Sequence, residues 1–416
     1  MAPEEQILPT QLDSSQSTYN KSPRDWEVSF LQARDEKVSR TRERQRPSRK
    51  VGVLVIGGGI IGLSIAYHLS RRGYSDVTVI EREKELATHA SGHNASGLVP
   101  PRESKAKEVW ELHAKGLKLF KSLSEVKGFD FDYKVNGLLT VHKIGSGHES
   151  LSRTVQDLQA IKVNVSLLEG SDLQEIEPNL STDGISALYY PDGAQGNSRK
   201  LAGCFARACL KEGVEVMTDT SASSFSTKDG RIETVGTNRA DFRPETVVLA
   251  AGPWSGEVAS LLGLRLPVEP AKGHLISVKT NRMRLVSRFV LGPEDYYVTQ
   301  IPTGELIVGG GVDLVGFDKK ADKRRLDEAW REGVFLFPFL KSMKRSSTVT
   351  CFRPYAPGGV PILGRSGRYQ NLIFATGHHT SGITLAPITG LLISQLVLDG
   401  ETKNDIMPFS PARFSC

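Results

Sequence analysis

Apolar and polar positions along the chain fall into segments of different period. Val51–Ile56 (VGVLVI) is an apolar run of strand length, the pattern of a strand covered on both faces of a parallel sheet. GGGIIG follows, then LSIAYHLSRRG, where apolar residues recur at helical spacing until Gly73 stops them. Next, DVTVIE reads as a second strand ending in the carboxylate of Glu81, which completes one βαβ unit. Beyond Pro100 the spacing predicts a helix over Lys105–Leu123, and FDYKVNGLLTVH alternates like two strands turning about Asn136-Gly137. Helical stretches at Leu151–Ile161 and Leu173–Ile176 lead into Leu188–Gly196. A helix over Leu201–Gly213 and short strands at Val214–Met217, Arg231–Val235 and Thr246–Ala250 come next. Leu264–Lys279 opens a β-rich section that runs through EDYYVTQIPTGELIVGGGVD to a charged helix, Lys319–Glu332. From Thr350 to Gly400 the pattern is again strand, turn, strand, helix. No internal repeat is present. Nucleotide-type segments at both ends and in the middle predict an α/β fold of two domains that the chain crosses several times.

Composition narrows the class. Hydrophobic residues make up 39% of the 416, enough to bury a sizeable core, so a wholly disordered chain is excluded. The net charge of +6 is unevenly placed: residues 34–50 hold eight Lys/Arg against three Asp/Glu. The basic balance is therefore partly a property of one short segment, and no nucleic acid is expected as a partner. Residues 1–50 read as a basic, mostly disordered extension. Within it Asp25–Gln45 has helical potential, since Trp26 and Phe30 share a face, and residues 34–50 are a possible contact for a membrane surface or a partner. Four cysteines without a CxxC pair suggest neither zinc nor a disulfide framework. With no h-region in the opening MAPEEQ, the expected location is cytoplasmic.

The chemistry begins at Gly57-Gly58-Gly59-Ile60-Ile61-Gly62, which fits GxGxxG. Gly57 permits the tight turn, Gly59 lets a pyrophosphate approach the backbone, and Gly62 lets the helix pack on the sheet. The helix N-terminus offers free N–H groups to the phosphate, and Glu81, 19 residues after Gly62, is placed to accept ribose hydroxyls. In that context the motif predicts a Rossmann-type dinucleotide site, and Glu81 disfavours the 2′-phosphate of NADP. No third strand follows at once. Residues 82–101 instead form a small-residue loop with Ser91, Gly92, Asn94, Ala95, Ser96 and Gly97, whose backbone can lie flat against a planar ring.

With this loop the sequence resembles the D-amino-acid oxidase/glycine oxidase/sarcosine oxidase family of flavoproteins, in which a similar loop lines the isoalloxazine. Three more segments carry the likeness: VVLAAGPWS (Val247–Ser255), PDGAQGNSRKLAGCF, and FRPYAPGGVPILG followed by NLIFATGHHTSGITLAPITG. Ser198 stands where that family usually has proline. The resemblance implies non-covalent FAD held by Gly57, Gly59, Ile60, Ile61, Gly62, Glu81, Arg82, Ser91, Asn94, Ala95, Ser96, Gly97, Leu98, Ala250, Ala251, Gly252, Gly382, Ile383, Thr384 and Leu385. It implies a Rossmann-type FAD-binding domain (51–98, 191–268, 350–416) interleaved with a smaller α+β substrate domain on a mixed antiparallel sheet (99–190, 269–349). Arg353 matches the arginine that clamps the substrate carboxylate, and Tyr297 matches the tyrosine over the substrate, with Thr299 in place of a usual proline. Guanidinium suits the task because it stays protonated and grips carboxylate through two parallel bonds.

The expected reaction is oxidation of the C–N bond of a small amino acid (D-amino acid, glycine, sarcosine or proline type), with oxygen or a quinone or dye-type compound taking the electrons. Cys351 occupies the slot of the flavin-bonded cysteine of monomeric sarcosine oxidases, whereas most relatives carry another residue there. Lys272-Gly273-His274 resembles a turn near the flavin. His378-His379 has no carboxylate or cysteine spaced with it, so no metal is expected. Three other readings stand beside the main one: a 2-hydroxy acid dehydrogenase similar to the L-2-hydroxyglutarate enzymes, using His93, His274 or His378 as base, a flavoprotein with a scaffold role, and, against the expectation from charge, a nucleic-acid binder through residues 34–50.

Overall fold

The computed structural model describes residues 47–101, 106–144 and 148–414. The predicted helix Asp25–Gln45 lies outside them, as does all but the end of the basic segment. Five parallel strands form the centre of the first sheet, in the order Leu372–Thr376, Asp241–Leu249, Ser48–Ile56, Val77–Ile80, Glu215–Met217. Antiparallel strands Ala222–Lys228, Arg231–Thr237 and Ile362–Arg365 extend it. Val53, Leu54 and Val55 are buried, as the unbroken apolar run requires of a strand covered on both faces. The strand begins at Ser48, before the apolar run, because Ser48, Arg49 and Lys50 pair with Asp241, Phe242 and Arg243 on an exposed end of the ladder.

Helix Ile60–Arg71 packs against the apolar helix Gly382–Leu398, and Leu63, Ile65, Leu69, Leu385, Leu392 and Ile393 fill one core between them. That C-terminal helix, with the turn before it, is long and apolar enough to cross a membrane, and here most of it is buried inside the protein.

The second sheet has eight strands, in the order Ser347–Tyr355, Glu269–Val278, Leu306–Leu314, Tyr297–Gln300, Phe289–Leu291, Leu138–Lys143, Ile185–Tyr190, Ser166–Glu169. It is mixed, since Phe289–Leu291 runs parallel to Leu138–Lys143 and the other neighbours are antiparallel. One face packs on helix Lys323–Leu336 through Ile276, Val298, Val308, Ala329 and Leu336. The other face carries Leu275, Phe289, Tyr297 and Ile307, which meet Ala95 and Val99 of the small-residue loop.

Three expectations shift. The stretch around Asn136-Gly137 is not a hairpin: Lys134–Val135 pairs with Ala194–Gln195 in a small third sheet, while Leu138–Lys143 enters the second. The N–H groups of Asn136 and Gly137 instead bond the Gly193 carbonyl, a partner no local signal reveals. The charged helix starts at Lys323 because the Asp322 side chain caps it, accepting from the N–H groups of Arg324 and Arg325. The strand carrying Arg353 belongs to the second sheet along its whole length, so the chain returns to the first sheet after Tyr355 and not at residue 350.

Candidate active site

The crevice starts where the strand Ser48–Ile56 ends. Gly57 has φ +123°, and a Cβ there would meet the Ala250 carbonyl oxygen at 2.3 Å, so only glycine permits the turn to press on that neighbouring strand end. A Cβ on Gly62 would lie 2.0 Å from the Gly57 oxygen, which fixes the close approach of helix and turn. Gly59, the N-cap of helix Ile60–Arg71, supplies no side-chain cap, and a Cβ there would meet only the Ser91 hydroxyl, at 3.3 Å. The space over the helix N-terminus is therefore an open cradle that a phosphate fits. Ile60 N–H donates to Ser91 Oγ (3.0 Å), which seats the small-residue loop at that same helix end, with Ile61 following in its first turn.

Glu81 stands beside the cradle. Its Oε2 accepts from Gly58 N–H (2.8 Å) and its Oε1 from Glu83 N–H (2.9 Å), and each oxygen keeps a second lone pair for a ribose hydroxyl. The Arg82 guanidinium lies 3.6 Å over the Trp254 ring, which also stacks on Phe317. Ala250 N–H continues the ladder to the Ile56 carbonyl, Ala251 accepts from Trp254 N–H, and Gly252 (φ +55°) makes the turn between them.

The loop is held from within. Asn94 Nδ2 donates to the carbonyls of Ala90 and Ser91 and to Ser198 Oγ (2.7 Å), while its Oδ1 accepts from Ser96 N–H. Ser198 Oγ donates to the Ser91 carbonyl (2.6 Å), so the serine in the place of the usual proline ties the loop to helix Ser198–Lys211. Gly97 and Leu98 pair with Gln195 and Ala194. A Cβ on Gly97 would strike the Phe289 ring at 2.4 Å, so the loop lies directly on the second sheet. Sequence reasoning missed Ser198, Gln195 and Phe289 as parts of this site. Gln195 Nε2 also donates to Thr299 Oγ1 (2.5 Å), which gives the threonine in the other proline's place a role in joining loop and sheet.

Helix Gly382–Leu398 points its N-terminus toward the same loop. Thr384 Oγ1 donates to the Val99 carbonyl (3.4 Å), Leu385 is fully buried, and Ile383 packs at the core's margin. His378 Nε2 pairs with Thr389 Oγ1, and burial pushes its imidazole down to about 3.

Arg353 and Tyr297 stand on the sheet face that meets the loop. Tyr297 pairs with Gly309, and its ring lies 5.0 Å from Phe289. The adjacent Tyr296 points to the other face, where its hydroxyl donates to Glu328 (3.0 Å), so strand alternation divides the two tyrosines as expected. Arg353 is half-buried and donates from Nη1 to the Gly311 carbonyl (2.8 Å). It forms no ion pair with any described residue. Cys351, on the same side of that strand, is buried, and burial raises its thiol. Lys272 and His274 turn away: Lys272 Nζ donates to Asp318 and to the Lys320 carbonyl, and His274 Nε2 accepts from Asp322 N–H.

A glycine turn with an open helix N-terminus, a carboxylate beside it and a small-residue loop facing a mixed sheet form a site that FAD fits. The sequence matches the FAD dependent oxidoreductase family, DAO, over residues 52–396, and the chain belongs to that family. The bifunctional protein ThiO/ThiG of Synechocystis sp. is 30% identical over 377 residues, which cover 87% of this chain and 54% of that protein, so the chain spans about half its length. The crystal structure of glycine oxidase from Geobacillus kaustophilus superposes with a TM-score of 0.81 at 26% identity, covering 88% of this chain and 99% of that one. L-proline dehydrogenase from P. horikoshii shares the fold, with a TM-score of 0.83 at 23% identity over 88% of this chain and 98% of its own.

Proposed function

We propose that this enzyme oxidises the C–N bond of a small amino acid whose carboxylate is held by Arg353, with the Tyr297 hydroxyl beside it. The observation that carries the reading is the state of Arg353: a half-buried guanidinium bonded to one backbone carbonyl and to no carboxylate among the described residues. A cation so placed favours an anionic ligand that brings its own two oxygens. FAD, held by the glycine turn, Glu81, the 91–98 loop and the N-terminus of helix Gly382–Leu398, supplies the two-electron acceptor. The protein's own part is to bind and orient, fixing the carboxylate so that the α-carbon faces the loop side of the sheet, and to keep water out with Leu275, Phe289 and Ile307. The imino acid product then hydrolyses with one water, to the oxo acid and ammonia from a primary amino acid, to the oxo acid and the amine from an N-substituted one, and by ring opening from a proline-type imine. We propose that the cofactor is not covalently bound, that oxygen or a quinone-type compound takes the electrons, and that the enzyme is cytoplasmic.

Two of the three histidines that could serve as base, His274 and His378, favour the amine reading over 2-hydroxy acid oxidation. Hydroxyl oxidation calls for a base, and His274 already accepts a backbone N–H while His378 is engaged with Thr389 and held neutral far below the useful range. Anaerobic mixing of the holoprotein with glycine, sarcosine, proline, D-amino acids and 2-hydroxy acids tests this. Bleaching of the flavin by an amino acid is expected. Bleaching by 2-hydroxy acids alone overturns the reading.

A further inference from the structure

Arg353 and Tyr297 lie on positions of the second sheet that have no side chain beneath them. A Cβ built on Gly273 would sit 2.6, 2.7 and 2.8 Å from Nη1, Nη2 and Cζ of Arg353, so the guanidinium rests on the bare backbone of the neighbouring strand. A Cβ on Gly309 would come within 3.1 Å of the Tyr297 hydroxyl and 2.6 Å of the His274 carbonyl. The ladder between these strands is irregular at the same place. His274 pairs with Gly310 and Lys272 with Asp313, so Gly273 alone faces both Gly311 and Val312. Two residues against one is a β-bulge, and the φ values of Gly310 (+141°) and Gly311 (+74°) are those only glycine adopts with ease. The bulge has two consequences. It presents the Gly311 carbonyl that accepts from Arg353 Nη1. It also clears room for the turn before Tyr297, because a Cβ on Gly310 would strike the Asp295 oxygen at 2.2 Å and the Tyr296 Cα at 2.7 Å. That turn holds Glu294 and Asp295 at φ +54° and +69°, a strained path that ends where Tyr297 begins.

We infer that Gly273, Gly309 and the Gly310-Gly311 bulge are positioning residues, a glycine floor that fixes the direction of Arg353 and Tyr297 toward the substrate carboxylate. This rests on the carboxylate role of Arg353 proposed above. The bulge bond occupies one Nη of the fork and leaves the remaining donors to the ligand. The three nearest atoms to a Cβ on Gly273 all belong to the far end of the Arg353 side chain, so Gly273→Ala moves the guanidinium and spares the backbone.

The experiment is a double-mutant cycle on the FAD-loaded protein. Acetate and glycine are titrated anaerobically and followed by the flavin absorbance, for wild type, Gly273→Ala, Arg353→Ala and the pair. Gly273→Ala is expected to weaken binding about tenfold or more at unchanged FAD content, and to add nothing in the Arg353→Ala background, because the two changes act on one group. Binding within about twofold of wild type for Gly273→Ala, or an equal loss in both backgrounds, overturns the floor while leaving the arginine's role standing. Unchanged binding in Arg353→Ala, or no binding of either probe to wild type, overturns the carboxylate reading itself, and the floor with it. If Gly273→Ala alone does not fold, the double variant decides: recovery of a folded yellow protein shows that the clash is with the guanidinium, and failure to recover overturns the inference.

Discussion

At the scale of single residues, Arg353 is a half-buried cation that pairs with no carboxylate among the described residues. If Arg353 holds the substrate carboxylate as proposed, truncating it to Ala leaves that carboxylate without its counter-charge, so apparent binding of a carboxylate substrate is expected to weaken by about 2–4 kcal/mol, measured as the concentration dependence of anaerobic flavin reduction. A loss below about 0.5 kcal/mol would make the arginine structural. Tyr297→Phe removes one neutral hydroxyl from the same pocket and is expected to cost about 0.5–1.5 kcal/mol on the same measurement. Glu81 is the residue proposed to act at the other end of the cofactor. Its carboxylate also holds Gly58 and Glu83 N–H groups, so Glu81→Ala is expected to loosen both the turn and the ribose, seen as FAD lost on gel filtration.

At the scale of elements, the support beneath the second sheet carries a pH signature. Glu177, at the end of helix Gly170–Ile176, accepts Ser287 N–H with both oxygens (3.0 Å each), just before the strand Phe289–Leu291 that meets the loop. Burial pushes its carboxyl up to about 7 from 4.5. Between those values the folded protein keeps a proton that the unfolded chain has lost, so this group's contribution to stability falls as pH rises through the window. The buried histidines work in the opposite direction. Burial holds His68 at about 4 and His113 at about 3, so each contributes stability that is lost as pH falls below the unfolded value of 6.5. Denaturant midpoints at pH 5 and pH 8 separate the two, because Glu177→Gln removes the first slope and keeps the second. An unchanged difference between those midpoints in Glu177→Gln would contradict the assignment.

At the scale of the whole molecule, the proposed cofactor site draws on stretches 57–62, 81–98, 250–252 and 382–385, so FAD is expected to stabilise the fold. Added FAD is expected to raise the melting temperature with concentration, about 2.7 kcal/mol at a hundred times Kd, while a flat response would contradict the site. Much of this was legible in the sequence. The glycine turn, Glu81 and the 91–98 loop each sit in a local pattern that suggests their proposed chemistry without coordinates, Arg353 is reached only through the family resemblance, and the apolar run announced its buried strand. What stayed hidden depends on long-range partners. The Asn136-Gly137 stretch looks like a hairpin until Gly193 claims its N–H groups. Ser198 and Thr299 read as departures from a pattern until their hydroxyls are seen to tie the loop to its helix and to Gln195. The bulge at Gly310-Gly311 looks like a flexible run of glycines, and only the register shows it carrying Arg353.

The most direct measurement is a crystal structure of the FAD-loaded protein with a small, unreactive carboxylate bound. A bidentate contact between that carboxylate and the Arg353 guanidinium is expected, with Tyr297 Oη beside it and the Gly311 bond retained. A carboxylate bound to another cation, with Arg353 touching only Gly311, would contradict it.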